Sequence, residues 1–250
     1  MLLLDDHGIG APYDCDVLLN FAPDAAGLYP DRQSDIQYLL GPEFALLRQE
    51  FVAGGTNRAE IPALARNVLV TFGGSDPNNV TLRVLGALRQ IADSRLEVRV
   101  VVGSSNPHMA LLDNAAQGFP CGLSLLKDVR NMPELMAWAE LGVSAGGGTC
   151  FEMAFMKVPM FLITIASNHD LTVKSLFRRN AAIGPGWFHG VTQDELASSL
   201  MNVIGSQVRR QELADHASRL VDGRGAHRVV DVLCTRDRAR RNEKGPMRPA

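Results

Sequence analysis

Cysteine is scarce in this 250-residue chain: Cys15, Cys121, Cys150 and Cys234 stand far apart and form no CxxC pair. That argues against a disulfide framework or a zinc knuckle and fits a reducing compartment. No stretch approaches the roughly 18 uninterrupted apolar residues of a membrane span. The opening Met1-Leu2-Leu3-Leu4 runs straight into Asp5 and Asp6 and is too short for a signal peptide. Neither sign of charge dominates: 25 Lys and Arg against 27 Asp and Glu leave a net charge of -2. Such a balance has no electrostatic footprint for nucleic acid. His7, His108, His169, His189, His216 and His227 form no HxH or HExxH spacing, so no metal site is expected. What is left is an expected cytoplasmic, soluble chain of ordinary composition, 46% hydrophobic and 21% charged.

Alternation is the dominant pattern present. Short apolar runs read as strands at 67–72 (NVLVTF), 96–103 (LEVRVVVG), 122–129, 141–145 (LGVSA) and 159–165 (PMFLITI). Segments with helical spacing fall between and after them, at 80–91, 109–118, 132–140, 149–157, 168–180, 193–205 and 207–221. Strands alternating with such helices predict a Rossmann-like, doubly wound parallel sheet, α/β in class. Ligands of these sheets lie in the crevice beyond the carboxyl ends of the strands. Several of the predicted strands end there in glycine or serine.

The most pronounced of these endings is Gly146-Gly147-Gly148-Thr149, between a strand and a helix. It is neither GxxxxGKS/T nor GxGxxG, so ATP hydrolysis and NAD chemistry lose their usual signatures, and no cofactor is expected. Glycines there let a backbone approach a diphosphate, with the helix dipole facing the negative charge; a plain tight turn is the other reading. Thr149-Cys150-Phe151-Glu152 matches a capping box, while Glu152 is equally placed to accept hydrogen bonds from ribose hydroxyls. Gly73-Gly74-Ser75-Asp76 repeats the strand-to-glycine arrangement, and Asp76-Pro77 is a turn signal. Asn168 is a natural N-cap or a ligand for sugar or phosphate. His169 is either structural or a phosphate donor.

The ends of the chain differ from its middle. Residues 1–62 contain two short strand-like runs, LLLDD and CDVLLN, without helices to cover them, and 52–62 reads as a loop. They are expected to be a remnant of an N-terminal domain plus the interdomain connection, followed by a nucleotide-binding domain over 63–234. The last residues, 235–250, hold six basic residues, two acids and two prolines, and read as a disordered basic tail.

In order and spacing, DDHGIGAPYDCDVLLN, GPEFALLRQEF, VLVTFGGSDP, NMPELMAWAELGVSAGGGTCFEMA and ITIASNHD resemble the UDP-sugar hydrolases of pseudaminic acid biosynthesis. The wider group includes spore-coat polysaccharide proteins and the lipid II-forming glycosyltransferases, all similar to the GT-B fold. The resemblance implies a hydrolase that releases UDP from a 2,4-diacetamido-2,4,6-trideoxy sugar by inverting attack of water, in surface-glycan or flagellin glycosylation. It implies that Gly146, Gly147, Gly148 and Thr149 cradle the diphosphate with Gly73, Gly74 and Ser75 opposite, and that Glu152 binds the ribose. Val129 to Met132 would face the uracil, Arg48 the cleft, and His169 the position that often carries glutamine in that family. Asn168 would be the catalytic-edge residue. The family's N-terminal GHxxR histidine has no counterpart here, which leaves open a truncated product, a mis-assigned start, or one part of a split enzyme with a separate N-terminal catalytic half as its partner. An inverting glycosyltransferase and a non-catalytic UDP-binding module are the alternatives.

Overall fold

The computed structural model describes residues 1–54, 60–91 and 93–243. The chain opens with three short parallel strands, β1 (Leu2–Leu4), β2 (Val17–Asn20) and β3 (Gln37–Leu40), paired in that order. The first two match the expected runs; β3 lies in a stretch whose proline and aspartate content hides it. A short helix, α1 (Gln49–Gly54), stands where 52–54 reads as loop, anchored by the fully buried Phe51. The rest of that predicted loop, 55–59, lies outside the described residues.

The main body alternates as expected. Strands β4 (Asn67–Thr71), β5 (Glu97–Val101), β6 (Gly122–Leu126), β7 (Leu141–Ser144) and β8 (Met160–Thr164) are separated by α2 (Val80–Ile91), α3 (Met109–Ala116), α4 (Met132–Trp138) and α5 (Gly148–Phe155). Helix α6 (Ser167–Arg178) leads to β9 (Ile183–Trp187), after which α7 (Gln193–Gly205), α8 (Gln207–Ser218) and α9 (Gly225–Glu243) follow. The six strands β4 to β9 form one parallel sheet in the order β6-β5-β4-β7-β8-β9. Its inner strands are apolar on both faces: all residues of β7 and β8 are buried. This is why they read as continuous runs rather than alternations. On one face α2 and α7 close a core around Val68, Val70, Val98, Val100 and Leu200; on the other α4, α5, α6 and α8 pack on Leu69, Met160 and Leu162.

Strand β9 was not legible as a strand, because Gly184, Pro185 and Gly186 break its pattern. As an edge strand it tolerates the missing N–H of proline. A Cβ on Gly184 would lie 1.9 Å from the Leu162 carbonyl, so the close pairing with β8 requires glycine there.

The missing cover for the small sheet comes from the far end of the chain. Helix α9 lays Val229, Val232 and Leu233 on Val17, Leu19 and Leu39. At its start a Cβ on Gly225 would stand 2.2 Å from the Ala45 carbonyl, and Arg228 donates to the Glu43 carbonyl at 2.8 Å. The expected disordered tail is therefore corrected over 235–243, which continues α9; its apolar first half is held by the sheet. Residues 244–250 of that predicted tail lie outside the described residues. The small sheet is also tied to the main body. Arg179 Nη2 donates to Asp24 Oδ1 at 2.6 Å, Arg178 and Ser175 bind the same carboxylate, and Phe21 meets Phe151 edge-on at 5.1 Å.

Candidate functional site

The order of the six strands places a switch point between β4 and β7, since the chain leaves β4 toward β5 and leaves β7 toward β8. In such sheets the crevice at the carboxyl ends beside the switch point is where ligands bind. Both flanking loops are the glycine loops. After β4, Gly73 adopts φ +78, a conformation that side chains disfavour. Asp76 turns its buried carboxylate onto the Val80 and Thr81 N–H groups, both at 2.9 Å, and so caps α2. The start of α2 already has its anion. After β5, Gly103 interlocks with the first loop: a Cβ there would lie 2.4 Å from the Gly73 carbonyl and 2.3 Å from that of Gly74. Ser105 N–H donates to the Gly74 carbonyl at 3.1 Å.

After β7, Gly146 presses on α6, where its Cβ would meet Val173 Cγ2 at 2.4 Å. Helix α5 then begins at Gly148 with Gly147 as N-cap, which has no side chain to cap it. The predicted capping box is thus not formed. The helix starts one residue earlier than expected, which puts Thr149 inside the first turn, and Glu152 turns elsewhere. Its carboxylate pairs with Arg48, with Nε–Oε1 at 2.8 Å and Nη2–Oε2 at 3.3 Å. Arg48 Nη1 also contacts Glu50 Oε1 at 2.9 Å, and its guanidinium lies 5.0 Å from the Phe51 ring centroid. The hydrogen bond to Glu152 raises the Arg48 pKa, so the guanidinium stays charged.

Two clefts flank the start of α5. One, of about 310 Å³, brings together Arg48, Gly73, Gly74, Val129, Met132 and Thr149. The other, of about 230 Å³, brings Gly146, Gly147, Gly148, Asn168 and His169 together with Asp6, in the loop after β1, and Asn20, at the end of β2. Ser75 is exposed and lines neither cleft. Glu152 is buried and is paired with Arg48, which lines the first. Asn168 is not the N-cap of α6; Ala166 holds that position, and Asn168 lies exposed in the first turn. His169 Nδ1 is buried without a hydrogen-bond partner among the described residues, and Nε2 would stand 3.3 Å from a Cβ on Gly147. Burial lowers the His169 pKa, with the nearby Asp6 charge opposing it, so the imidazole is neutral at neutral pH. Gly103 and Asp6 were not singled out from sequence. Gly103 carried a signal, as the end of a predicted strand; Asp6 carried none, because only the fold brings it to α6.

Comparison with known proteins bears on the fold that carries these loops. Residues 67–184 match the glycosyltransferase family 28 C-terminal domain. The chain is 27% identical over 214 residues to the spore coat polysaccharide biosynthesis protein SpsG of Bacillus subtilis, covering 83% of this chain and 62% of that protein. It is 26% identical over 174 residues to the UDP-N-acetylglucosamine–N-acetylmuramyl-(pentapeptide) pyrophosphoryl-undecaprenol N-acetylglucosamine transferase of Anaeromyxobacter dehalogenans, covering 66% of this chain and 44% of that one. The crystal structure of Acinetobacter baumannii MurG superposes with a TM-score of 0.65 at 14% identity, covering 94% of this chain and 66% of MurG. The chain thus spans less than two thirds of the length of these relatives. Its fold is the Rossmann-like parallel sheet of GT-B glycosyltransferases, and residues 67–184 within it are similar to a glycosyltransferase family 28 C-terminal domain.

Proposed function

We propose that this chain binds the nucleotide of a UDP-sugar and serves inverting transfer of the sugar to an acceptor. The observation that carries the reading is the convergence of two glycine loops, Gly73-Gly74 and Gly146–Thr149, at the switch point around the uncapped start of α5. A diphosphate there would meet free backbone N–H groups and the positive end of the helix dipole. Glu152 would accept from the ribose hydroxyls, and Val129 to Met132 would face the uracil. Asn168 and His169 would face the sugar in the second cleft. Residues 63–234 would form this donor-binding part. Ser75, exposed outside both clefts, has no place in it.

The same donor site with water as acceptor would give the hydrolase that the sequence resemblance implies. The transferase among the relatives and the matched domain family favour transfer. Titration calorimetry of the purified chain tests the donor site directly. UDP is expected to bind and ADP not to; a folded sample that binds neither would refute the reading.

A further inference from the structure

Arg48 stands between two carboxylates. Its Nε/Nη2 edge is taken by Glu152 and its Nη1 by Glu50. Among the described residues lining the cleft with Gly73, Gly74 and Thr149, it carries the one positive charge. The two carboxylates differ in kind. Glu152 is 11% exposed and meets the guanidinium with both oxygens, in a charge-assisted, bidentate arrangement. Glu50 is 41% exposed and meets it through a single contact, and exposed pairs of this sort are worth little. The guanidinium carbon lies over the Phe51 ring, 5.0 Å from its centroid, and Arg48 lines the cleft that an anion would enter. The weaker partner is the one that would yield.

We propose that Glu50 is an internal competitor for Arg48: the phosphates of a nucleoside diphosphate displace it from Nη1, while the Glu152 pair is kept. Arg48 then links the two halves of the nucleotide. It holds the Glu152 carboxylate in one orientation toward the ribose and presents its free edge to the phosphates. Glu50 sets the affinity from outside the cleft, because its carboxylate must be released for each binding event. This inference rests on the UDP-binding reading above.

The test is calorimetry with UDP and uridine on the wild type, Glu50→Gln, Arg48→Gln and the double variant, with circular dichroism to verify folding. Glu50→Gln is expected to tighten UDP about threefold, the scale of releasing one exposed ion pair, and to leave uridine unchanged. The gain is expected to vanish in the Arg48→Gln background. Unchanged or weaker UDP binding by Glu50→Gln would overturn the competition. So would an equal gain without Arg48, which would mean plain charge repulsion through space. A wild type that binds no UDP would overturn the donor-site reading and this inference together, whereas binding with no Glu50 effect would overturn this one alone.

Discussion

Gly148→Ala separates a phosphate cradle from a tight turn. Gly148 is the first residue of α5, its φ is not positive, and a Cβ built on it meets nothing within 4 Å. The fold therefore gives no reason for glycine at this position. Alanine there removes conformational freedom from the unfolded chain and should stabilise the protein by about 0.5 kcal/mol. For a chain of this size that is a rise in Tm of roughly 1–2 °C. The added methyl, however, projects into the cleft shared with Gly147 and Asn168, where a phosphate oxygen would have to approach the backbone. UDP affinity should fall by about tenfold or more, roughly 1.4 kcal/mol. Calorimetry supplies both numbers, by thermal scan and by titration. Gly146→Ala is the contrast, since its Cβ would stand 2.4 Å from Val173 and should cost about 1–3 kcal/mol of stability. A Gly148→Ala protein that is stabilised and binds UDP as before would refute the cradle.

Three further outcomes are expected. Glu152→Gln keeps the shape of the side chain but removes the charge that Arg48 and a ribose would share, so UDP binding should weaken about tenfold with a small change in Tm; titration and melting that both match the wild type would return Glu152 to a structural role. Gly103→Ala should lose about 1–3 kcal/mol in a denaturant melt, because its Cβ collides with backbone carbonyls rather than with a yielding side chain. The Asp24 carboxylate is held at a pKa of about 2, chiefly by the hydrogen bond from Arg179 and also by Ser175 and Arg178, against 3.8 for the free group. A depressed acid stabilises above its unfolded value, so this contribution is present above about pH 4 and is lost as pH falls toward about 2. Asp24→Asn should cost about 1–2 kcal/mol at pH 7 after allowance for screening and flatten that part of the acid-unfolding curve; an unchanged curve would dismiss Asp24 as a tie between the small sheet and α6.

Local patterns determined much of this protein by themselves. Apolar runs such as 159–165 and helical spacings such as 80–91 are properties of neighbouring residues, and they predicted β8 and α2 to within a residue at each end. The glycine loops were legible for the same reason, since a strand that ends in Gly73-Gly74 or Gly146–Gly148 says so within a few positions. The tertiary structure decided what depends on distant partners. Strand order made the β4 and β7 loops neighbours and so created the switch point. Helix α9 covers β1 to β3 from some two hundred residues away. Arg48, 104 positions from Glu152, took the carboxylate that spacing alone would have given to a helix cap. A cap is a contact within one turn of helix and can be guessed from four letters. An ion pair between a connecting segment and a buried helix exists only once the chain has closed on itself.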